Sequence, residues 1–238
     1  MKEELLGGKF IYRCDEAVFP LSTDSLLLAD FARPKRGDTV ADLGAAAGLL
    51  ELLLAAKDES LRFLHIERDA HAVELAGENF AANGLAERTA LFSGDLRRRS
   101  SLPPNNSADY VIANPPYYPA ARGKCSSTMA AARSETECSF ADIAAAARYL
   151  LRSGGRFGFV HRAERLAELC CILEENGFSV KRLRLVQHSP AAAPSLVLME
   201  ALSDGRPGLF CEPTLLLHDE HGDETAEYRC IYHKEDRP

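Results

Sequence analysis

Asn114-Pro115-Pro116-Tyr117 has the residue types and the order that alkylation of a conjugated amino nitrogen requires. The lone pair of such a nitrogen, in an exocyclic base amine or a side-chain amide, is delocalised into the adjoining π-system. It attacks an electrophile only when its N–H groups are engaged by acceptors. The side-chain carbonyl of Asn114 is one acceptor. The main-chain carbonyl of Pro115 is the second, aimed by two successive prolines whose φ is fixed at about −65°. Tyr117 adds a ring on which a planar substrate can stack. The bland alternative is that the apolar run Tyr110-Val111-Ile112-Ala113 simply ends at a Pro-Pro turn, so the elements upstream must decide.

Thr39-Val40-Ala41-Asp42-Leu43 reads as a short buried strand, followed by the small-residue turn Gly44-Ala45-Ala46-Ala47-Gly48 and a helical run from Leu49 to Ala56. A helix start reached through small residues lets a ligand approach backbone N–H groups and the positive end of the helix dipole. The next strand, Arg62-Phe63-Leu64-His65-Ile66, ends at Glu67, an acidic side chain placed to take both hydroxyls of a ribose. A third, Arg88-Thr89-Ala90-Leu91-Phe92, leads to Gly94-Asp95, whose carboxylate can accept from an adenine amino group. A fourth carries Asn114. Each element alone is weak, but their order along four β-α units points to a nucleoside-containing cofactor and an amino acceptor held over one sheet.

On these residues the chain resembles the class I S-adenosylmethionine-dependent methyltransferases. Within them it is similar to the bacterial tRNA N6-adenine methyltransferases that modify the adenosine beside the anticodon of a valine tRNA. The stretches that carry the resemblance are Phe19 to Phe31, Asp42-Leu43-Gly44, Asn114 to Tyr117, Tyr149 to Phe157, His161 to Leu166 and Pro194 to Glu200, over roughly residues 9 to 232. The resemblance implies a Rossmann-like α/β fold with a doubly wound, seven-stranded, mostly parallel sheet that ends in an antiparallel hairpin. It implies S-adenosyl-L-methionine as cofactor, held by Thr23, Asp42, Gly44, Ala46, Gly48, Glu67, Asp95 and Leu96. Asn114, Pro115, Pro116 and Tyr117 are then the catalytic tetrapeptide, and Arg133, Arg162 and Arg165 the residues expected to meet tRNA. Two positions depart from the family pattern. Ala46 stands where a central glycine is usual, adding a Cβ where the cofactor approaches, and Ser134 stands where a histidine is expected. If Ala46 has positive φ or lies close to the cofactor, Ala46→Gly should tighten binding; if its φ is negative, glycine only adds unfolded-state entropy.

Composition bounds these expectations. A chain of 238 residues that is 46% hydrophobic can bury one sizeable core. It reads as an N-terminal lead over residues 1–37, folded over the cofactor pocket, and a methyltransferase domain over 38–238. Seven cysteines without a C-x-x-C pair read as reduced thiols, and seven histidines show no metal-ligand spacing, so no metal is expected. With no apolar segment long enough to span a bilayer, the expectation is a cytoplasmic protein with no membrane partner and no evident obligate protein partner. Net charge is −7, unusual for a nucleic-acid binder, yet residues 148 to 188 hold eight Lys/Arg against four acids. Arg97-Arg98-Arg99 and the pair Arg122 and Lys124 flank the catalytic strand, and together these could form a basic face.

Ser22 or Thr23 should cap a helix through Phe31, residues 120–138 are a candidate lid, and the tail from Leu209 to Tyr232 should add a strand or short helix. Other readings stay open. Methylation of a protein glutamine uses the same tetrapeptide, but enzymes of that type carry a longer helical N-terminal domain than the lead before Thr39 allows. A fold that has lost its cofactor and serves as an RNA-binding or interaction protein is supported only by the alanines of the first loop. DNA methylation lacks a target-recognition domain, and a nicotinamide oxidoreductase fits neither Pro115-Pro116 nor the terminal hairpin.

Overall fold

The inner parallel strands, over residues 39–43, 62–67 and 108–113, are mostly apolar because both faces of the sheet are covered there. The computed structural model describes residues 2–5, 8–15, 21–115 and 138–232. Pro116, Tyr117, Arg122, Lys124, Arg133, nearly all of the candidate lid and the first residues of the Phe19 to Phe31 stretch lie outside them.

A two-stranded antiparallel hairpin, β1 (Lys2–Leu5) and β2 (Phe10–Arg13), precedes α1 (Thr23–Phe31). Then come β3 (Thr39–Leu43), α2 (Leu49–Lys57), β4 (Arg62–Glu67), α3 (Ala70–Ala82), β5 (Thr89–Ser93) and β6 (Ala108–Ala113). The second half holds α4 (Phe140–Leu150), β7 (Leu151–Arg162), α5 (Leu166–Glu175), β8 (Phe178–Gln187), β9 (Leu196–Ser203), β10 (Phe210–Cys211), β11 (Leu215–Leu216) and α6 (Ala226–Ile231).

The order across the main sheet is β10-β8-β9-β7-β6-β3-β4-β5, with β11 also on β8. The expected seven strands form its body. β9 runs antiparallel between β7 and β8, as the hairpin reading requires, and the two-residue β10 and β11 extend the sheet to nine. Alternate residues of each strand enter different cores. Val40, Phe63, Tyr110 and Ile112 pack with α1, α2 and α3 on one face. Ala41, Leu43, Val111 and Ala113 pack with α4 and α5 on the other. This three-layer arrangement is the doubly wound architecture.

Helix starts follow their sequence signals: Ser22 caps α1, Asp69 caps α3, and Ser139 with Asp142 forms a reciprocal capping box on α4. The lead is more than a helix. Its hairpin docks on α3 through two side-chain amides, Asn83 bonding both main-chain groups of Ile11 and Asn79 both those of Arg13 at 2.7–3.0 Å. None of the six described cysteines is in a disulfide. Among the described residues no helix is long and apolar enough to cross a membrane, and no group of three or more His, Cys, Asp or Glu could hold a metal ion.

Candidate active site

The chain runs β3, β4, β5 outward along the sheet and then returns to place β6 on the other side of β3. That reversal is a topological switch point, where loops at the C-terminal strand ends diverge and leave a crevice. The loop Gly44 to Gly48 leaves β3 there, Glu67 ends β4, Asp95 follows β5, and Asn114-Pro115 leaves β6.

The first loop is tied down internally. Gly44 and Ala45 both donate to the Ile66 carbonyl at 2.9 and 3.2 Å, and Gly48 donates to Ala45. Ala46 donates to Glu67 Oε2 at 3.0 Å. The N–H groups of residues 44, 45, 46 and 48 are thus spent holding the loop. What the loop offers instead is close approach. Gly44 has φ of 71°, and a Cβ added there would meet nothing within 4 Å. Gly48 has φ of 86°, and a Cβ there would lie 2.5 Å from the Phe80 ring. Ala46 also has positive φ, 48°, in the left-handed region that costs an L-residue about 1–2 kcal/mol. Buried Asn79 supports the loop from below, donating to the Ala47 carbonyl at 3.0 Å.

Glu67 takes three backbone N–H groups, Ala46 on one oxygen and Arg68 and Asp69 on the other, at 2.6–3.0 Å. This fixes its carboxylate at the end of β4 while a carboxylate retains about four acceptor positions in all. Asp95 is less open than expected. Arg97 grips it through Nε and Nη2, which holds its pKa down at about 2. Leu96 packs against the second core. Thr23 starts α1 with its hydroxyl 2.5 Å from that of Tyr232.

At the acceptor end, Asn114 is half-buried and Pro115 buried. Asn114 Nδ2 donates to Ser25 Oγ of α1 at 3.0 Å. Of the residues expected near RNA, Arg165 is bound to Glu168, and Arg162 Nε is buried with no hydrogen-bond partner among the described residues.

A cluster that the sequence reading did not assemble lies beneath the first loop. Asp42 on β3 pairs in register with His65 on β4. His65 Nδ1 is 2.8 Å from Glu51 Oε1 of α2, and all three residues are essentially inaccessible to solvent. Burial raises both carboxyls: Asp42 well above its ordinary value and Glu51 to about 7. Burial lowers His65. The signal was present, since Glu51 and His65 are lone polar residues in otherwise apolar segments, but it does not say which of them meet.

Residues 21–176 match the family model described as methyltransferase small domain. A curated tRNA1(Val) (adenine(37)-N6)-methyltransferase of Vibrio vulnificus is 29% identical over 181 residues, covering 76% of this chain and 74% of the relative. The like-named protein of Cronobacter sakazakii is 27% identical over 209 residues, covering 87% and 84%. Among solved structures, a predicted O-methyltransferase from Agrobacterium tumefaciens has a TM-score of 0.73 at 22% identity, over 88% of this chain and 95% of that one.

Proposed function

The chain belongs to the methyltransferase small-domain family, and we propose that it methylates the N6 amino group of an adenosine in tRNA, beside the anticodon of a valine tRNA. It is an S-adenosylmethionine-dependent methyltransferase; the finer substrate follows the activity named for its curated relatives. The observation that supports the reading most is the position of Asn114-Pro115, at the C-terminal end of the strand beside β3, across the switch point from the Gly44 to Gly48 loop.

The residues present fit the cofactor. The open side of Gly44 gives backbone-close room, and the fixed Glu67 carboxylate suits a ribose diol. Leu96 and Asp95 would flank the base, and Thr23 would close the pocket from α1. When bound, S-adenosylmethionine supplies an electrophilic methyl group on a sulfonium. The chain's own contribution is alignment, which is worth about 7–11 kcal/mol at best. The Asn114 side-chain carbonyl and the Pro115 carbonyl accept from the two N–H groups of the amine, Tyr117 stacks on the flipped base, and the excess proton leaves to water. Arg133, Arg162 and Arg165 would contact the RNA backbone.

The test is incubation with methyl-labelled cofactor and total tRNA, then digestion to nucleosides. Label in N6-methyladenosine, lost when the valine tRNA is depleted, is the expected result. Label in protein glutamine instead, or in a different nucleoside, overturns the reading.

A further inference from the structure

We propose that Ser25 is a positioning residue that fixes the orientation of the Asn114 amide, and with it the acceptor that Asn114 turns toward the nitrogen being methylated. The inference rests on the role given to Asn114 above. An asparagine amide has a donor and an acceptor end of almost the same shape, so an unrestrained side chain can present either one. Only the carbonyl end can engage an N–H of the acceptor amine.

Ser25 is 6% exposed, a hydroxyl on a helix whose other buried side chains are Leu26, Leu27, Leu28, Ala29 and Phe31. A buried hydroxyl is costly unless it is hydrogen-bonded. Its oxygen receives two donors, Asn114 Nδ2 at 3.0 Å and the Ser22 hydroxyl at 3.0 Å. Both lone pairs are then occupied by donors, and the Asn114 end facing Ser25 is the Nδ2 end. Because the amide is planar, its carbonyl is directed to the other side.

The platform that carries Ser25 is itself fixed. The Ser22 side chain caps α1 by accepting the Ser25 N–H at 3.2 Å. Thr23 is tied to Tyr232. At the far end, Arg182 donates to the Phe31 carbonyl at 2.7 Å and stacks on its ring at 3.8 Å. Ser25 therefore holds one position relative to β6, and the Asn114 amide is aligned before any substrate binds.

Comparison of Ser25→Thr with Ser25→Val tests this, because the two replacements have the same shape and differ only in the hydroxyl. The Thr variant should keep wild-type kcat. The Val variant should lose about tenfold in kcat, the size of one hydrogen bond, with KM for tRNA and Kd for S-adenosylmethionine within about twofold. A second readout needs no turnover: the Asn114 side-chain amide signals, identified by their loss in Asn114→Asp, should shift between the two variants in nitrogen-edited NMR spectra. Equal kcat with unshifted signals would overturn the proposal, as would a fall in cofactor affinity as large as the fall in rate. A wild-type protein that methylates no adenosine would sink the functional reading instead, and the amide signals would still decide whether Ser25 holds Asn114.

Discussion

Ala46 shows how one backbone angle redistributes an energy. From the sequence, either positive φ or close cofactor approach at Ala46 is a reason for Ala46→Gly to tighten binding. The structure gives the positive φ, 48°. That strain is carried by the fold, so its relief is read first in stability. Relief of about 1–2 kcal/mol, less the 0.4–1 kcal/mol entropy that glycine adds to the unfolded chain, should leave Ala46→Gly slightly more stable. Thermal unfolding should show a Tm higher by about 1–4 °C, and a lower Tm would contradict the argument. Affinity should rise only if the Ala46 methyl itself touches the cofactor. Glu67 makes a sharper case: Glu67→Ala should weaken cofactor binding at least about tenfold, and an unchanged Kd by titration calorimetry would remove Glu67 from the ribose site.

Among the elements, β3, β4 and α2 together hold a proton. Glu51 is pushed by burial from 4.5 to about 7, so between those pH values the folded state keeps a proton that the unfolded chain releases. Its stabilising contribution is complete below the lower value and is lost as pH rises through the upper one, up to about 3 kcal/mol. His65 acts oppositely: lowered by burial, it gains stability as pH rises toward 6.5 and adds no slope above it. Denaturant unfolding should thus show stability falling as pH rises toward about 7, partly offset by His65 just below 6.5, with Asp42 extending the fall. Glu51→Gln should flatten the decline; the same slope in both proteins would refute the assignment. This cluster also marks the limit of what the sequence discloses. β3, β4 and β6 were legible because burial on both faces makes them uniformly apolar, and α1 because Ser22 caps it at Leu21-Ser22-Thr23. The meeting of Asp42, Glu51 and His65 depends on strand register and helix packing, which local patterns do not encode. The same holds for Ser25 against Asn114, 89 residues apart. The β1–β2 hairpin escaped notice because its charged first strand has no alternating signature and its docking amides lie on α3. β10 and β11 are too short to show any period.

Over the whole molecule the basic segment 148–188 is largely neutralised. Arg148 pairs with Asp204, Arg156 and Arg182 with Glu200, Arg165 with Glu168 and Arg184 with Glu227, so most of the expected excess is met by acids, several of them from outside the segment. The exposed pairs among them add little stability, but they cancel field. For the proposed tRNA binding, reversing Arg162 and Arg165 together should flatten the salt dependence by about one phosphate contact or more, a change of roughly 0.7–0.9 in slope per contact. An unchanged slope would place the RNA on another face. Arg182 serves the fold instead, joining Glu200, Glu212 and the end of α1. Arg182→Ala, which leaves Glu200 with less compensation, should cost about 3 kcal/mol in denaturant unfolding, and a loss below 1 kcal/mol would show the network to be dispensable. The central claim, that Asn114 engages the acceptor amine and not the cofactor, meets its most direct test in Asn114→Ala. Single-turnover methyl transfer to tRNA and S-adenosylmethionine Kd should be measured on the same preparation. The account predicts transfer reduced by at least about a hundredfold with Kd within about twofold of wild type. Retained transfer, or a loss of cofactor affinity as large as the loss of rate, would contradict it.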